Sequence, residues 1–284
     1  MVIDFHTHTF PDSICEKTIQ KLSMLSATRA FTNGSLTGLL ESMKAAGIDY
    51  SVTLPVMTNP GQVEKVNASL MEQREELFAR GIICFGGMHP DYPEPAKELK
   101  RLKEAGILGI KLHPAYQNVD FDDIRMLRIM DAASELGLVI ITHAGIDIGI
   151  SNHNYASTAH ILRVLKEVAP KKLVLAHYGN WACWDDVERD LAGADVYFDT
   201  AFAIGPITPN PAAGHAPLRS ENLDAEQFLR IARKHGTDKI LFATDSPWED
   251  QKNYLERIHA IPLTETEKKQ ILGENAKNLL SLES

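Results

Sequence analysis

Val2-Ile3-Asp4-Phe5-His6-Thr7-His8 is the stretch from which the rest of the chain can be read. It predicts a strand that ends in two histidines. Side chains alternate across a strand, so Asp4, His6 and His8 are expected on one face and Ile3 and Phe5 on the other. Two imidazoles on one face of a strand end can close on a single ion, at roughly 2.0–2.1 Å from each nitrogen. The same pair can also be surface or helix-capping histidines, because His-x-His is a short pattern. Polar residues that recur at later strand ends favour the metal reading.

Working outward, short apolar runs are expected as strands at 50–54, 82–85, 108–112, 138–142, 173–176, 196–198 and 240–243. Helical spacing falls between them, at 37–46, 63–78, 95–105, 122–136, 157–168, 185–191 and 225–235. Thr264-Glu265-Thr266-Glu267 fits a capping box near the end. About eight strand–helix units imply parallel strands with crossover helices, closing into a (β/α)8 TIM barrel. An open doubly wound sheet would carry glycines in its first turn, and His6-Thr7-His8-Thr9-Phe10-Pro11 has none. No repeat, low-complexity segment or linker interrupts the pattern, so residues 1–284 are expected to form one domain.

Of the 284 residues, 44% are hydrophobic and 24% charged, which fits a soluble globular enzyme or binding protein, and the expected partner is a small-molecule substrate. The net charge of -9 argues against a nucleic-acid partner, whose phosphates call for basic patches. No basic segment followed by an apolar run opens the sequence, so no signal peptide is expected. No apolar run reaches the roughly 20 residues that span a bilayer, so no membrane partner is expected either. Cys15, Cys84 and Cys183 are scattered, which suits a reducing, cytoplasmic setting. Barrels of this kind often form homo-oligomers, but nothing in the sequence marks an interface.

In a barrel the chemistry gathers at the C-terminal ends of strands. There the first strand offers His6 and His8, the third His89, the fourth Lys111 and His113, the fifth His143, the sixth His177 and the eighth Asp245. Any one of these can be a satisfied turn residue. As a set around one barrel mouth they point to catalysis. The loop at 200–222 is longer than the usual 2–6 residues and is a candidate lid. His215 and Arg219 lie in it. Trp181, Trp184 and Trp248 can wall a pocket or pack loops on the rim. Arg29 and Arg219 are candidates for holding a substrate carboxylate.

His6-Thr7-His8, His143, His177 and Thr244-Asp245-Ser246-Pro247 resemble the amidohydrolase superfamily. More narrowly they resemble its amidohydrolase-related branch, which includes aminocarboxymuconate semialdehyde decarboxylase. Gly109-Ile110-Lys111-Leu112-His113-Pro114 and Gly273-Glu274-Asn275-Ala276-Lys277-Asn278-Leu279-Leu280 share in the resemblance, which runs along the whole chain. It implies that His6, His8, His143 and Asp245 hold one divalent ion, zinc first, with manganese, iron or a second ion also fitting. Asp245 would also accept a proton from the ion's water. His177 would orient that water, polarise the substrate, or bind a second ion. Lys111 would be an ammonium facing a substrate carboxylate, or a carboxylated bridge between two ions. Lys111, His113 and His89 are the expected substrate contacts, and Asp4 is either an acceptor behind a ligand ring or a polar residue of the barrel interior.

Three activities follow from the resemblance. The first is hydrolysis of an amide, ester or lactone bond by metal-activated water. The alternative is non-oxidative decarboxylation at the same site. A metal-dependent deoxyribonuclease is a third, weakened because Lys111 and His113 stand where that family carries a glutamate.

Overall fold

A computed structural model describes residues 1–150, 152–217 and 219–282. The strands, all parallel, are β1 Ile3–Thr7, β2 Tyr50–Thr53, β3 Ile82–Cys84, β4 Gly86–Gly87, β5 Gly109–Leu112, β6 Val139–Thr142, β7 Leu173–Leu175, β8 Tyr197–Asp199 and β9 Ile240–Leu241. One ladder runs β1-β2-β3 and a second runs from β4 to β9. Only Phe85 separates β3 from β4, and its N–H still donates to Thr53 O at 3.1 Å. The two segments are halves of the third barrel strand. At the other seam Phe5 N donates to Phe242 O at 2.9 Å, Asp245 N to His6 O at 2.8 Å and His8 N to Ser246 O at 2.7 Å. These bonds join the last strand to the first and close an eight-stranded barrel, as the alternation predicts.

Period-two alternation divides each strand between two cores. Ile83, Phe85, Val139, Ile141, Val174 and Leu241 point inward, with Ala276 and Leu279 of the last helix plugging one end. Ile82, Ile110, Leu112, Ile140, Leu175 and Phe242 point outward and meet the ring of helices. Strands buried on both faces read as unbroken apolar runs, which is what makes them visible in sequence.

The first strand departs from strict alternation. Its register against β2 slips between Asp4 and Thr7. Ile3 and Phe5 join the inner core, and His6 still turns into the barrel mouth. Asp4 does not stand behind a ligand ring. Its carboxylate accepts from Thr244 N at 3.0 Å, Thr244 Oγ1 at 2.5 Å and Gln251 Nε2 at 2.7 Å. It ties the first strand to the turn after the last one.

Several expected helices appear with ends shifted by one or two residues, and Ala225–His235 appears unchanged. The capping box at Thr264 and Glu267 forms. The helix expected at 185–191 begins at Trp184 and widens into a π-helical turn over Val187–Leu191. A short helix, Pro114–Gln117, is an addition that the apolar pattern could not signal in four residues. The loop at 200–222 carries a turn of 3-10 helix, Pro211–Ala213. It lies against the segment after the first strand: Arg29 N donates to Thr208 O at 2.9 Å and Asn210 N to Ala27 O at 2.8 Å. Among the described residues no helix is long and apolar enough to cross a membrane.

Gly109 opens β5 directly against Phe85. A Cβ there would lie 2.6 Å from Val139 O and collide with the Phe85 ring. Gly109→Ala is therefore expected to cost about 1–3 kcal/mol of stability, as overpacking does, measured by urea unfolding.

His235 supplies a pH test of the outer core. Its ring stacks on Phe198 at 3.8 Å, accepts from Gly193 N at 3.2 Å and donates to Val196 O at 3.1 Å. Burial pushes its pKa down to about 4, against about 6.5 in an unfolded chain. Between those values the unfolded state binds the extra proton, so this contribution is full above pH 6.5 and is lost as pH falls towards 4. The loss amounts to roughly 3 kcal/mol. His235→Phe should flatten the acid side of the stability–pH curve by about one proton, read from unfolding midpoints between pH 7 and 4.5.

Candidate metal centre

The strand ends deliver their polar side chains to one cavity of about 760 Å³ at the barrel mouth. His6, His8 and Asp245 meet at the floor. His6 Nε2 and His8 Nε2 are 3.2 Å apart, with Asp245 Oδ1 at 3.2 Å from His8 and 3.6 Å from His6. Asp245 and His177 are held at φ 67° and 59°, a left-handed turn just past each strand that aims the side chain inward.

The proton on each ring follows from the partner it meets. His6 Nδ1 faces Asp199 Oδ2 at 2.9 Å, and His8 Nδ1 faces Leu54 O at 2.8 Å. Both partners accept, so both Nδ1 atoms carry the proton and both Nε2 atoms are bare. His177 Nδ1 faces Ala201 O at 2.9 Å, which leaves its Nε2 to accept from His143 Nδ1 at 2.9 Å. His143 Nε2 is then also bare, and among the described residues it is buried without a hydrogen-bond partner. Three imidazoles thus present an unprotonated nitrogen. Burial, the largest influence, pushes His6 and His143 well below the usual histidine range and keeps them neutral.

This donor set fits a divalent ion. Atoms bound at about 2.0–2.1 Å in a tetrahedral shell stand about 3.3–3.4 Å apart, close to the 3.2–3.6 Å spacings of the trio. Two bare nitrogens at 3.2 Å repel unless a cation stands near them. Lys111 Nζ, at 3.2 Å from His6 Nε2, meets part of that need. Burial lowers the Lys111 pKa and raises that of Asp199, each the other's main electrostatic partner.

The expected quartet is therefore a trio with His143 beside it. His143 groups with His113 and Asp147, all buried and with ligand atoms within 4.8 Å of one another. That second group does not suit an ion. His113 Nδ1 accepts from Tyr116 N at 3.3 Å, so the proton sits on Nε2 and the ring is a donor.

Lys111, His113 and His177 line the cavity, as do Trp181 and Trp248. His177 Nε2 is engaged by His143, which leaves it no lone pair for a second ion. His89 stands apart from the lining, and its Nδ1 accepts from Asp91 N at 3.1 Å as a turn residue. Trp184 packs on the rim, donating to His177 O at 3.1 Å. Arg29 and Arg219 do not line the cavity: Arg29 lies over Phe31, and Arg219 pairs with Glu221 at 2.8 Å.

Asp199 and Asp147 are functional candidates that the sequence reading passed over. Asp199 ends the seventh barrel strand with inward parity, and that position was its signal. Besides His6 it accepts from His177 N at 2.8 Å and Ala201 N at 3.0 Å. Asp147 follows His143 by four residues in a loop whose fold no periodicity reports.

The amidohydrolase family profile matches residues 3–282. The chain belongs to the amidohydrolase family. No curated protein matches it significantly. Among solved structures, a dihydroxybenzoic acid decarboxylase from Polaromonas sp. JS666, with bound manganese and 2-nitroresorcinol, is similar at TM-score 0.72 and 16% identity, covering 99% of this chain and 97% of that one. An uncharacterised TIM-barrel protein from Bordetella bronchiseptica is similar at TM-score 0.71 and 18% identity, covering 99% and 98%. A 5-carboxyvanillate decarboxylase from Sphingomonas paucimobilis is similar at TM-score 0.68 and 14% identity, covering 99% of each. These likenesses show that this amidohydrolase has the barrel fold of its relatives.

Reconstitution with manganese or zinc should load about one ion per chain, counted by plasma mass spectrometry, and His8→Ala should abolish it. Asp199→Asn should weaken metal affinity about 10–100-fold in a chelator competition, because it unfixes the His6 proton.

Proposed function

We propose that this amidohydrolase is a metal-dependent, non-oxidative decarboxylase of a small aromatic or conjugated carboxylic acid. The observation that carries the reading is the floor of the cavity. Two bare imidazole nitrogens, the Asp245 carboxylate and the buried Lys111 nitrogen lie together there, and the bare His143 nitrogen lines the same cavity. Decarboxylation needs a positive site that seats a carboxylate and takes up the electron pair left on carbon. The decarboxylases among the similar structures support the same choice. It displaces hydrolysis, the first expectation from sequence, and keeps that same donor set.

His6, His8 and Asp245 would hold the ion, manganese or zinc, and His143, with its bare Nε2, is the candidate for a fourth ligand. A divalent ion there supplies Lewis acidity that draws electron density from the substrate's oxygen atoms. The chain's own groups do the rest. Lys111, protonated, pairs with the scissile carboxylate and fixes its orientation. Trp181 and Trp248 wall the cavity and keep water from the substrate's body. The carbon–carbon bond then breaks, carbon dioxide leaves, and the electron pair stays on the substrate. A proton must reach that carbon. Asp245 Oδ1 is turned towards His6 and His8, so we assign to its Oδ2 the relay of a proton from solvent to that carbon.

The test is a panel of carboxylated phenols against a panel of esters and lactones, with carbon dioxide release as the readout. Metal-dependent release, reduced about 100-fold or more by Asp245→Asn, is the expected result. Ester or lactone turnover with no release would return the site to hydrolysis.

A further inference from the structure

His113 and Asp147 are buried polar side chains of the cavity that the metal does not require. Each is fixed by its own backbone. His113 Nδ1 accepts from Tyr116 N at 3.3 Å, and the ring stacks on His143 at 4.5 Å and 12°. Asp147 Oδ1 accepts from Gly149 N at 2.8 Å. Among the described residues each therefore has one atom left over: a donor, His113 Nε2–H, and an acceptor, Asp147 Oδ2. These two atoms are 3.7 Å apart. That is beyond a good N–H···O bond of 2.7–3.2 Å. It is also short enough for one further atom to reach both. Both residues line the cavity and are more than nine-tenths buried.

We propose that His113 and Asp147 together bind a hydroxyl group of the substrate. A hydroxyl oxygen accepts from His113 Nε2 while its proton goes to Asp147 Oδ2. Other groups satisfy only half of the pair. A methoxy oxygen accepts but cannot donate. An aromatic amine donates but accepts poorly. A carboxylate meets repulsion from Asp147. The site thus reads a hydroxylated acid, with its carboxylate at Lys111 and the ion and its hydroxyl at this pair. The inference rests on the decarboxylase reading for the place of the carboxylate. The hydroxyl pocket itself rests on geometry alone.

The experiment is calorimetric binding of matched probes to the manganese-loaded protein: benzoate, its three monohydroxy isomers and the three methoxy counterparts. At least one hydroxy isomer should bind 10-fold or more tighter than both benzoate and its own methoxy partner. In Asp147→Ala that ratio should fall to within about twofold. Asp147→Asn, nearly isosteric, guards against a folding defect, and melting curves of both variants check it. Equal binding of all probes by the native protein overturns the proposal. So does a hydroxyl preference that survives Asp147→Ala, and so does no measurable binding of any probe. Hydroxyl preference without carbon dioxide release from any acid would keep the pocket and sink decarboxylation. Release with no hydroxyl preference would do the reverse.

Discussion

Everything at the barrel mouth depends on where five imidazole protons sit. Neutral histidine has one N–H, and a backbone carbonyl or a carboxylate that claims Nδ1 decides what Nε2 can do. Leu54 O, Asp199 and Ala201 O each make that claim. Through them His6, His8 and His143 become lone-pair donors. At His113 the claim is reversed, because a backbone N–H occupies Nδ1 and the ring becomes a proton donor. Residues of one type, within one cavity, are thereby divided between those that offer a lone pair and one that offers a proton.

This division explains how much of the site was legible. His6, His8, His143, His177 and Asp245 stand out because strand ends are easy to find when strands are buried on both faces. The barrel follows from the same alternation. The protons do not show in sequence, since each is fixed by an atom far along the chain: Asp199 is 193 residues from His6. Asp4 was placed on the wrong face because a slip in strand register leaves no mark in composition. His89 has the local look of a strand-end ligand but belongs to a turn. Asp147 sits in a loop, where periodicity has nothing to report.

Two layers of the molecule carry different burdens. The inner core and the strand ends fix the floor of the cavity, with groups that other side chains hold rigidly. The outer part comes from the helix Cys15–Ser26, whose residues Lys17, Lys21 and Leu22 line the cavity, and the long loop bonded to the residues just after it reaches the lining through Phe202. Changes there can reshape what enters without disturbing the donors below. One scaffold can host many substrates by this route.

The seam between the first and last strands has a consequence for biogenesis. His6 and His8 lie on one side of it and Asp245 on the other, with nearly the whole barrel between them. A nascent chain can offer the two histidines but not the carboxylate until the eighth strand has left the ribosome. An ion held by all three would clasp the barrel shut at its longest chain separation, where closing a loop removes the most freedom from the unfolded state. Metal capture would then wait for the eighth strand, and it would report that the barrel has closed.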